Sequence, residues 1–472
     1  MEWWKMSAVE VASAIKNGQA KAVEILESNL ERLDAVNSEV NAVVYDLREE
    51  ALKIAREADS MLEQGKPLGI LHGVPITTKE NSDQKGVPTT DGLPAFAKNI
   101  AKSDSPQIAN LKKAGAIVFG RTNTPEFAMR FHTDNPLHGA TLNPWDKSVT
   151  PGGSSGGAAV AVALGIGALA HGNDVGGSLR FPAYCNGVVS LKPSFGVVPE
   201  YCETHGAEWP VAIKIMHSQG VIAREIRDLK LALKALIKKD LRDPWWVPMP
   251  PSLPEKKEAL RVAVSTNPGG LGVDPAVAAA VQEAAQHLED AGYPVEEVDN
   301  LPCIEEFVPM WSKLLFTELK VTTEEYAEKY GSPELKLTFK LYFEAEKPCD
   351  LAQYIAVFSE RTRIIREWDL FFEKYPLVLT PYSCEPPFPL SKEPANVGTV
   401  ERLKQWHNAI RMSVGMNLTG HPAAAVPTGL HEGIPIGVQI AGRRFRDEQV
   451  LDAAEAIENA TGVLCKKLWE RI

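Results

Sequence analysis

PGGSSGGAAVAVALGIGALAHGNDVGGSLRFPA, residues 151–183, holds two Gly/Ser segments on either side of a run of small apolar residues. The run from 158 to 170 reads as a small-residue helix. Glycines let the backbone take positive φ angles and approach a ligand closely. A serine beside successive backbone N–H groups in such a turn can attack a carbonyl while those donors hold the developing oxyanion. By itself GGSSGG usually marks a flexible loop. It satisfies G-x-S-x-G twice, centred on Ser154 or Ser155, but a nucleophile elbow must follow a buried strand. The preceding residues 143–151, NPWDKSVTP, are a loop by composition, so the elbow reading fails on context.

Outward from this stretch, the texture is that of a mixed α/β fold. Short β-type runs at 73–77 and 117–120 alternate with helical segments and Gly-rich turns. Upstream, Ser7-Ala-Val-Glu10 reads as a capping box opening a helix, and residues 1–65 as helices packed on the outside of a larger body. Residues 66–242 form the core segment. DPWWVPMPPSLPE at 243–255, with five prolines, is an irregular connector. It leads into a strand at 261–265, a helix at 274–291 and a strand at 294–298. Residues 303–368 read as helical and aromatic-rich, so 243–400 is taken as connector plus helical insertion, a wall for a pocket. A proline-rich loop at 381–394 precedes 401–472, where strands at 423–426 and 436–441 and a helix at 447–460 complete the core. The fold predicted is one large α/β domain, a mixed-sheet core flanked by helices, with a helical insertion.

The chain has 472 residues, 44% hydrophobic and 24% charged, enough for a sizeable core. A formal charge of −11 without long Lys/Arg runs makes nucleic acid and anionic membrane poor partners. Six cysteines without C-x-x-C spacing argue against a zinc site and a disulfide framework, and fit a reducing compartment. Cys185, in an apolar run, reads as a core thiol, while Cys202 stands in a polar loop. No signal peptide is visible, and the 158–170 run is short of the ~20 residues that a spanning helix needs. A soluble cytoplasmic protein is expected. Without H-E-x-x-H, a Walker loop or a dinucleotide fingerprint, no metal and no cofactor is implied. None of the ten histidines falls in a triad motif.

Taken together, the two Gly/Ser segments, with Ser154 and Ser178 24 positions apart, strongly resemble the amidase signature family. GVPITTKEN at 73–81 resembles its lysine motif and GAIVFGRTNTPEF at 115–127 its next block. NPWD at 143–146, LKP at 191–193, GVIAR at 220–224, TGHPAAAVP at 419–427 and GIPIGVQ at 433–439 also fit. The likeness covers roughly residues 5–460 and is weakest between 243 and 396. It implies Ser178 as nucleophile, Ser154 as a bridging serine after a cis Gly153–Ser154 peptide, and Lys79 as base. The N–H groups of Val175, Gly176, Gly177 and Ser178 would form the oxyanion hole. Asp174 and Arg180 would fix the nucleophile loop, with Ser155 either supporting it or merely forming the turn. Two positions depart from the pattern: Glu80 stands where Asp is frequent, and Asn173 where a small hydroxyl residue is common.

The chemistry is coherent. A serine hydroxyl is a weak nucleophile until a base takes its proton. Lysine serves only when neutral, which requires burial or nearby positive charge to lower its pKa from ~10.4. Lys79 follows a predicted buried strand. The resemblance implies cleavage of a small-molecule amide through an acyl-enzyme, with aryl amides, aryl carbamates (urethanes) and esters as candidate substrates. Phe307, Trp311 and Phe316 would either line an apolar pocket or simply build core. The alternative within the family is the glutamine-hydrolysing subunit of a tRNA-dependent amidotransferase, which typically has Gln where Phe181 stands. A homodimer stays open, as many relatives are dimers.

Overall fold

The computed structural model describes residues 1–250 and 259–471. Eleven strands form one sheet: β1 (Val43–Asp46), β2 (Pro75–Lys79), β3 (Ile117–Thr122), β4 (Leu169–Asp174), β5 (Val189–Lys192), β6 (Ser218–Ala223), β7 (Val262–Val264), β8 (Val295–Glu297), β9 (Leu377–Pro381), β10 (Ala423–His431) and β11 (Ile434–Gly442). Their order is β1-β3-β2-β4-β6-β5-β10-β11-β9-β7-β8. The sheet is mixed. β2 is parallel to both β3 and β4, and β7 to both β8 and β9, while the remaining pairs are antiparallel. β2, β3, β4, β5 and β6 are buried throughout, as expected where helices cover both faces.

The capping box at Ser7 is present: Glu10 N–H donates to Ser7 Oγ (3.1 Å) and Ser7 N–H to Glu10 Oε2 (3.0 Å). The N-terminal segment also supplies β1, which the helical reading of 1–65 did not contain. Its Val-Val-Tyr run pairs antiparallel with β3 at the sheet's edge. A second correction concerns 158–170. The helix runs Gly156–Leu164 and stops at Gly165, whose φ of 85° no L residue adopts readily. Residues from Leu169 onward then become β4, so His171 lies in a strand and not at a helix end. Apolar composition does not separate a buried helix from a buried strand, and only the glycine marks the switch. Gly157 lets this helix sit against the chain: a Cβ there would lie 2.5 Å from Asn123 N and 2.7 Å from Ala42 O.

Within 243–400 the strands expected at 261–265 and 294–298 are β7 and β8, and together with β9 they belong to the same sheet. The described α-helices of this stretch are Pro275–Asp290, Ile304–Thr322, Glu324–Tyr330, Pro333–Ala345, Leu351–Lys374 and Pro394–Val397. The proline-rich connector is described only as far as Pro250, and its continuation lies outside the described residues. Among the described residues no helix is long and apolar enough to cross a membrane.

This topology brings the chemistry-bearing segments together. Parallel β2 and β4 are neighbours, and their carboxyl ends carry Lys79 and Asp174. In α/β sheets ligands bind beyond the carboxyl ends of strands. The turn before the Gly156–Leu164 helix brings Ser154 to the same place.

Candidate active site

Lys79 ends β2 and is fully buried. Arg121 of β3 pins that end by donating from Nη2 to the carbonyls of Lys79 (3.2 Å), Glu80 (2.8 Å) and Ser82 (2.6 Å). Lys79 Nζ lies 2.7 Å from Ser154 Oγ and donates to Asn173 Oδ1 at 2.8 Å. Asn173 is oriented in turn, its Nδ2 donating to Asn81 Oδ1 at 3.0 Å. Burial brings the ammonium down to about 7, against the opposing pull of Asp91, Asp174 and Glu80. A substantial fraction of Lys79 is therefore neutral near pH 7, as a base must be.

The Gly153–Ser154 peptide is cis. Gly153 admits no side chain, since a Cβ would meet Arg130 O at 2.5 Å and the Phe131 carbonyl carbon at 2.9 Å. Ser155 joins the two Gly/Ser segments: its N–H donates to Ser178 O (3.2 Å) and its hydroxyl to Asn173 O (3.4 Å). Among the described residues the Ser178 hydroxyl makes no hydrogen bond, so the link from Ser154 to Ser178 is open in this conformation. Catalytic hydrogen bonds are commonly loose before substrate binds.

The loop from Val175 to Ser178 is organised by Asp174. Its carboxylate accepts from Gly177 N–H (2.7 Å), Leu179 N–H (3.1 Å), Arg180 Nε (3.0 Å) and Nη2 (2.9 Å), and Asn417 Nδ2 (2.9 Å). Burial would raise such a carboxyl, but the Arg180 guanidinium outweighs it and holds Asp174 well below the usual range. Gly177 therefore departs from expectation. Its N–H closes an Asx-type turn onto Asp174 and is already committed. Among the described residues the N–H groups of Val175, Gly176 and Ser178 have no intramolecular acceptor, which leaves three donors for an oxyanion.

Further residues position this loop from distant segments. Trp311 Nε1 donates to Val175 O at 2.9 Å, and a Cβ on Gly176 would lie 2.6 Å from the indole. Ser413 Oγ donates to Gly176 O (3.4 Å), and Tyr382 OH to Gly177 O (3.4 Å). Arg180 also donates to Ser413 O (3.1 Å), Gln439 Oε1 (2.7 Å) and Asn417 Oδ1 (2.6 Å). Of the insertion aromatics, Trp311 backs the loop. Phe307 instead packs under Gly415 and stacks on Trp368 at 5.6 Å, and Phe316 stacks on Tyr342 at 4.6 Å.

The two departures from the family pattern acquire roles. Asn173 is the second partner of Lys79. Buried Glu80, pushed up chiefly by burial, accepts from Thr90 N–H (3.0 Å), Thr90 Oγ1 (2.6 Å) and Gly92 N–H (2.7 Å), shaping the turn that carries Asp91. Cys185 is a core thiol whose pKa burial raises strongly. His171 bonds Gln219 Oε1 at 2.9 Å, and burial lowers it to about 3. Among the described residues no group of three His, Cys, Asp or Glu side chains could hold a metal.

Arg180→Met is expected to destabilise the fold by about 3–5 kcal/mol, because it strands the Asp174 carboxylate in the core. Chemical denaturation measures this, and a loss below about 1 kcal/mol would contradict a tight buried pair.

The profile of the family described as Amidase matches residues 24–451. An indoleacetamide hydrolase of Bradyrhizobium diazoefficiens is 47% identical, the alignment covering 99% of this chain and 88% of the relative. An acylamidase of Rhodococcus erythropolis is 33% identical over 96% of this chain and 95% of its own. A glutamyl-tRNA(Gln) amidotransferase subunit of Moorella thermoacetica is 32% identical, with 98% of each chain covered. Among solved structures, a bacterial aryl acylamidase of the amidase signature family superposes with a TM-score of 0.83 at 27% identity, covering 97% of this chain and 96% of that one.

Proposed function

The chain belongs to the amidase family, and from that premise we propose that it hydrolyses small apolar or aryl amides through an acyl-enzyme on Ser178. The observation that carries this reading is the buried Lys79 amine, brought to about 7 and 2.7 Å from Ser154 Oγ. Neutral Lys79 gives one N–H to Asn173 Oδ1 and offers its lone pair to the Ser154 hydroxyl. Ser154 takes the Ser178 proton as Ser178 Oγ attacks the amide carbonyl. The N–H groups of Val175, Gly176 and Ser178 hold the tetrahedral oxyanion, which needs donors fixed in advance. The proton returns through Ser154 to the leaving nitrogen, and water repeats the sequence to release the acid. The same donors would accept esters and aryl carbamates.

The likeness to an indoleacetamide hydrolase and to acylamidases supports an aryl acyl group or aryl amine beside the scissile bond. Trp311 and the ends of the surrounding helices would form the pocket wall. The amidotransferase reading is weaker. Phe181 lies in an aromatic cluster with Trp406 (4.7 Å), Phe388 (5.7 Å) and Tyr382 (6.1 Å), where a polar side chain would be stranded. A cytoplasmic location and a homodimer complete the proposal, the latter checked by light scattering.

The test is hydrolysis of indole-3-acetamide, phenylacetamide, p-nitroacetanilide, an aryl carbamate and glutamine by the purified chain, followed by product chromatography. Turnover of the aryl amides with glutamine inert is expected. Glutamine cleavage alone would replace this reading with the amidotransferase one.

A further inference from the structure

A cavity of about 350 Å³ lies at the C-terminal end of the Arg411–Thr419 helix. Its walls include Phe195, Trp245, Phe358 and Ile365, and the arginines Arg361 and Arg444 line it. No acidic residue is among its described lining residues. This volume falls within the range of about 300–1,000 Å³ typical of small-ligand sites.

The two arginines differ in how they are paired. Arg444 Nη2 donates to Asp369 Oδ2 at 2.6 Å, while its Nε is buried and, among the described residues, has no partner. Arg361 donates from Nε to Leu418 O at 2.6 Å and, among the described residues, has no carboxylate within ion-pair distance. Burial and the like charge of Arg444 bring it down to about 10. A guanidinium stays charged in proteins, so the half-buried Arg361 presents a cation to the cavity. Two neighbouring cations, of which Arg444 is paired with Asp369, set among aromatic and aliphatic walls match an anion with an apolar body.

We propose that this cavity binds a small aromatic carboxylate, its ring against Phe195, Trp245 and Phe358 and its carboxylate on Arg361, beside the positive charge of Arg444. That this acid is the enzyme's own arylacetate-type product rests on the function proposed above, whereas the site itself does not. The cavity also adjoins the catalytic loop's support. Thr419, Gly420 and Ile215 line it, and Asn417, next to Leu418, donates to both Asp174 Oδ1 and Met216 O at 2.9 Å.

The experiment titrates Ser178→Ala protein, which cannot turn over substrate, with phenylacetate, 1-naphthaleneacetate, octanoate and phenylacetamide by calorimetry and tryptophan fluorescence. Saturable binding of the two aryl acids is expected, weakened at least about tenfold by Arg361→Gln. Phenylacetamide should not compete at this site, and Trp245→Phe should remove most of the fluorescence response. Because Arg361 also holds the Leu418 carbonyl, Ile365→Glu serves as a second variant: its carboxylate would occupy the guanidinium and exclude the acid. Absence of saturable binding, or equal affinity in wild type and both variants, overturns the proposal. Octanoate binding more tightly than the aryl acids overturns the aromatic assignment. Acid binding that depends on Arg361, in a protein whose wild type cleaves no amide, would sink the proposed function and leave this site standing.

Discussion

Ser178→Ala is expected to lower kcat/KM for a susceptible aryl amide by about 10⁴–10⁶-fold with no loss of thermal stability. The activity loss follows because no other side chain can take the nucleophile's place. Ser155 Oγ is directed at Asn173 O, Ser154 Oγ sits against Lys79 Nζ, and Cys185 is sealed in the core. Stability should hold because, among the described residues, the Ser178 hydroxyl makes no hydrogen bond, and its removal orphans nothing. The pair of measurements is steady-state hydrolysis and a melting curve on the same sample. Undiminished turnover would remove Ser178 from the chemistry. A large fall in melting temperature would show that the hydroxyl is structural and that the activity loss carries no mechanistic weight.

Lys79→Met is the second large effect, with a loss of about 10³–10⁵-fold expected in kcat/KM. In the wild type the acidic limb of the pH profile should have an apparent pKa near 7, falling about tenfold per unit below it, since only the neutral amine can accept a proton. The residual activity of Lys79→Met should lack that limb. Stability provides an independent reading. The folded-state value of about 7 lies below the unfolded one of ~10.4, so between them the unfolded chain binds more protons and stability rises with pH. Below pH 7 the folded protein must bury a charged ammonium. Lys79→Met should therefore equal or exceed the wild type in melting temperature, with the gap widest at low pH. A variant less stable at every pH would contradict the lowered pKa.

Much of the site is legible in the sequence because it is local. GVPITTKEN, GGSSGG and DVGGSLR each place a reactive side chain in a tight glycine-bearing segment, and the structure brings Lys79 and Ser154 to hydrogen-bond distance and seats Ser178 on the adjoining loop. What local reading misses has physical causes. Asn173 stands out in the sequence only as a departure, because nothing in its neighbours tells that its amide faces β2. The commitment of Gly177 N–H depends on where the Asp174 carboxylate turns once Arg180 and Asn417 fix it. The supports Trp311, Tyr382, Ser413 and Asn417 come from segments more than 130 positions beyond the loop, so no local pattern links them to it.

The sequence by itself determined the α/β class and, through its long motifs, the family, and it singled out Lys79, Ser154 and Ser178 as the candidate reactive groups. Only the tertiary structure decided which groups are charged, which donors are free and which segments share a sheet. It set β1 on the edge and carried β7, β8 and β9 from the insertion into the sheet's far end. It also left Arg361, among the described residues, without a carboxylate partner beside an apolar-walled cavity. Protonation and donor availability depend on burial and on partners distant in the chain, and those distances exist only once the chain has folded.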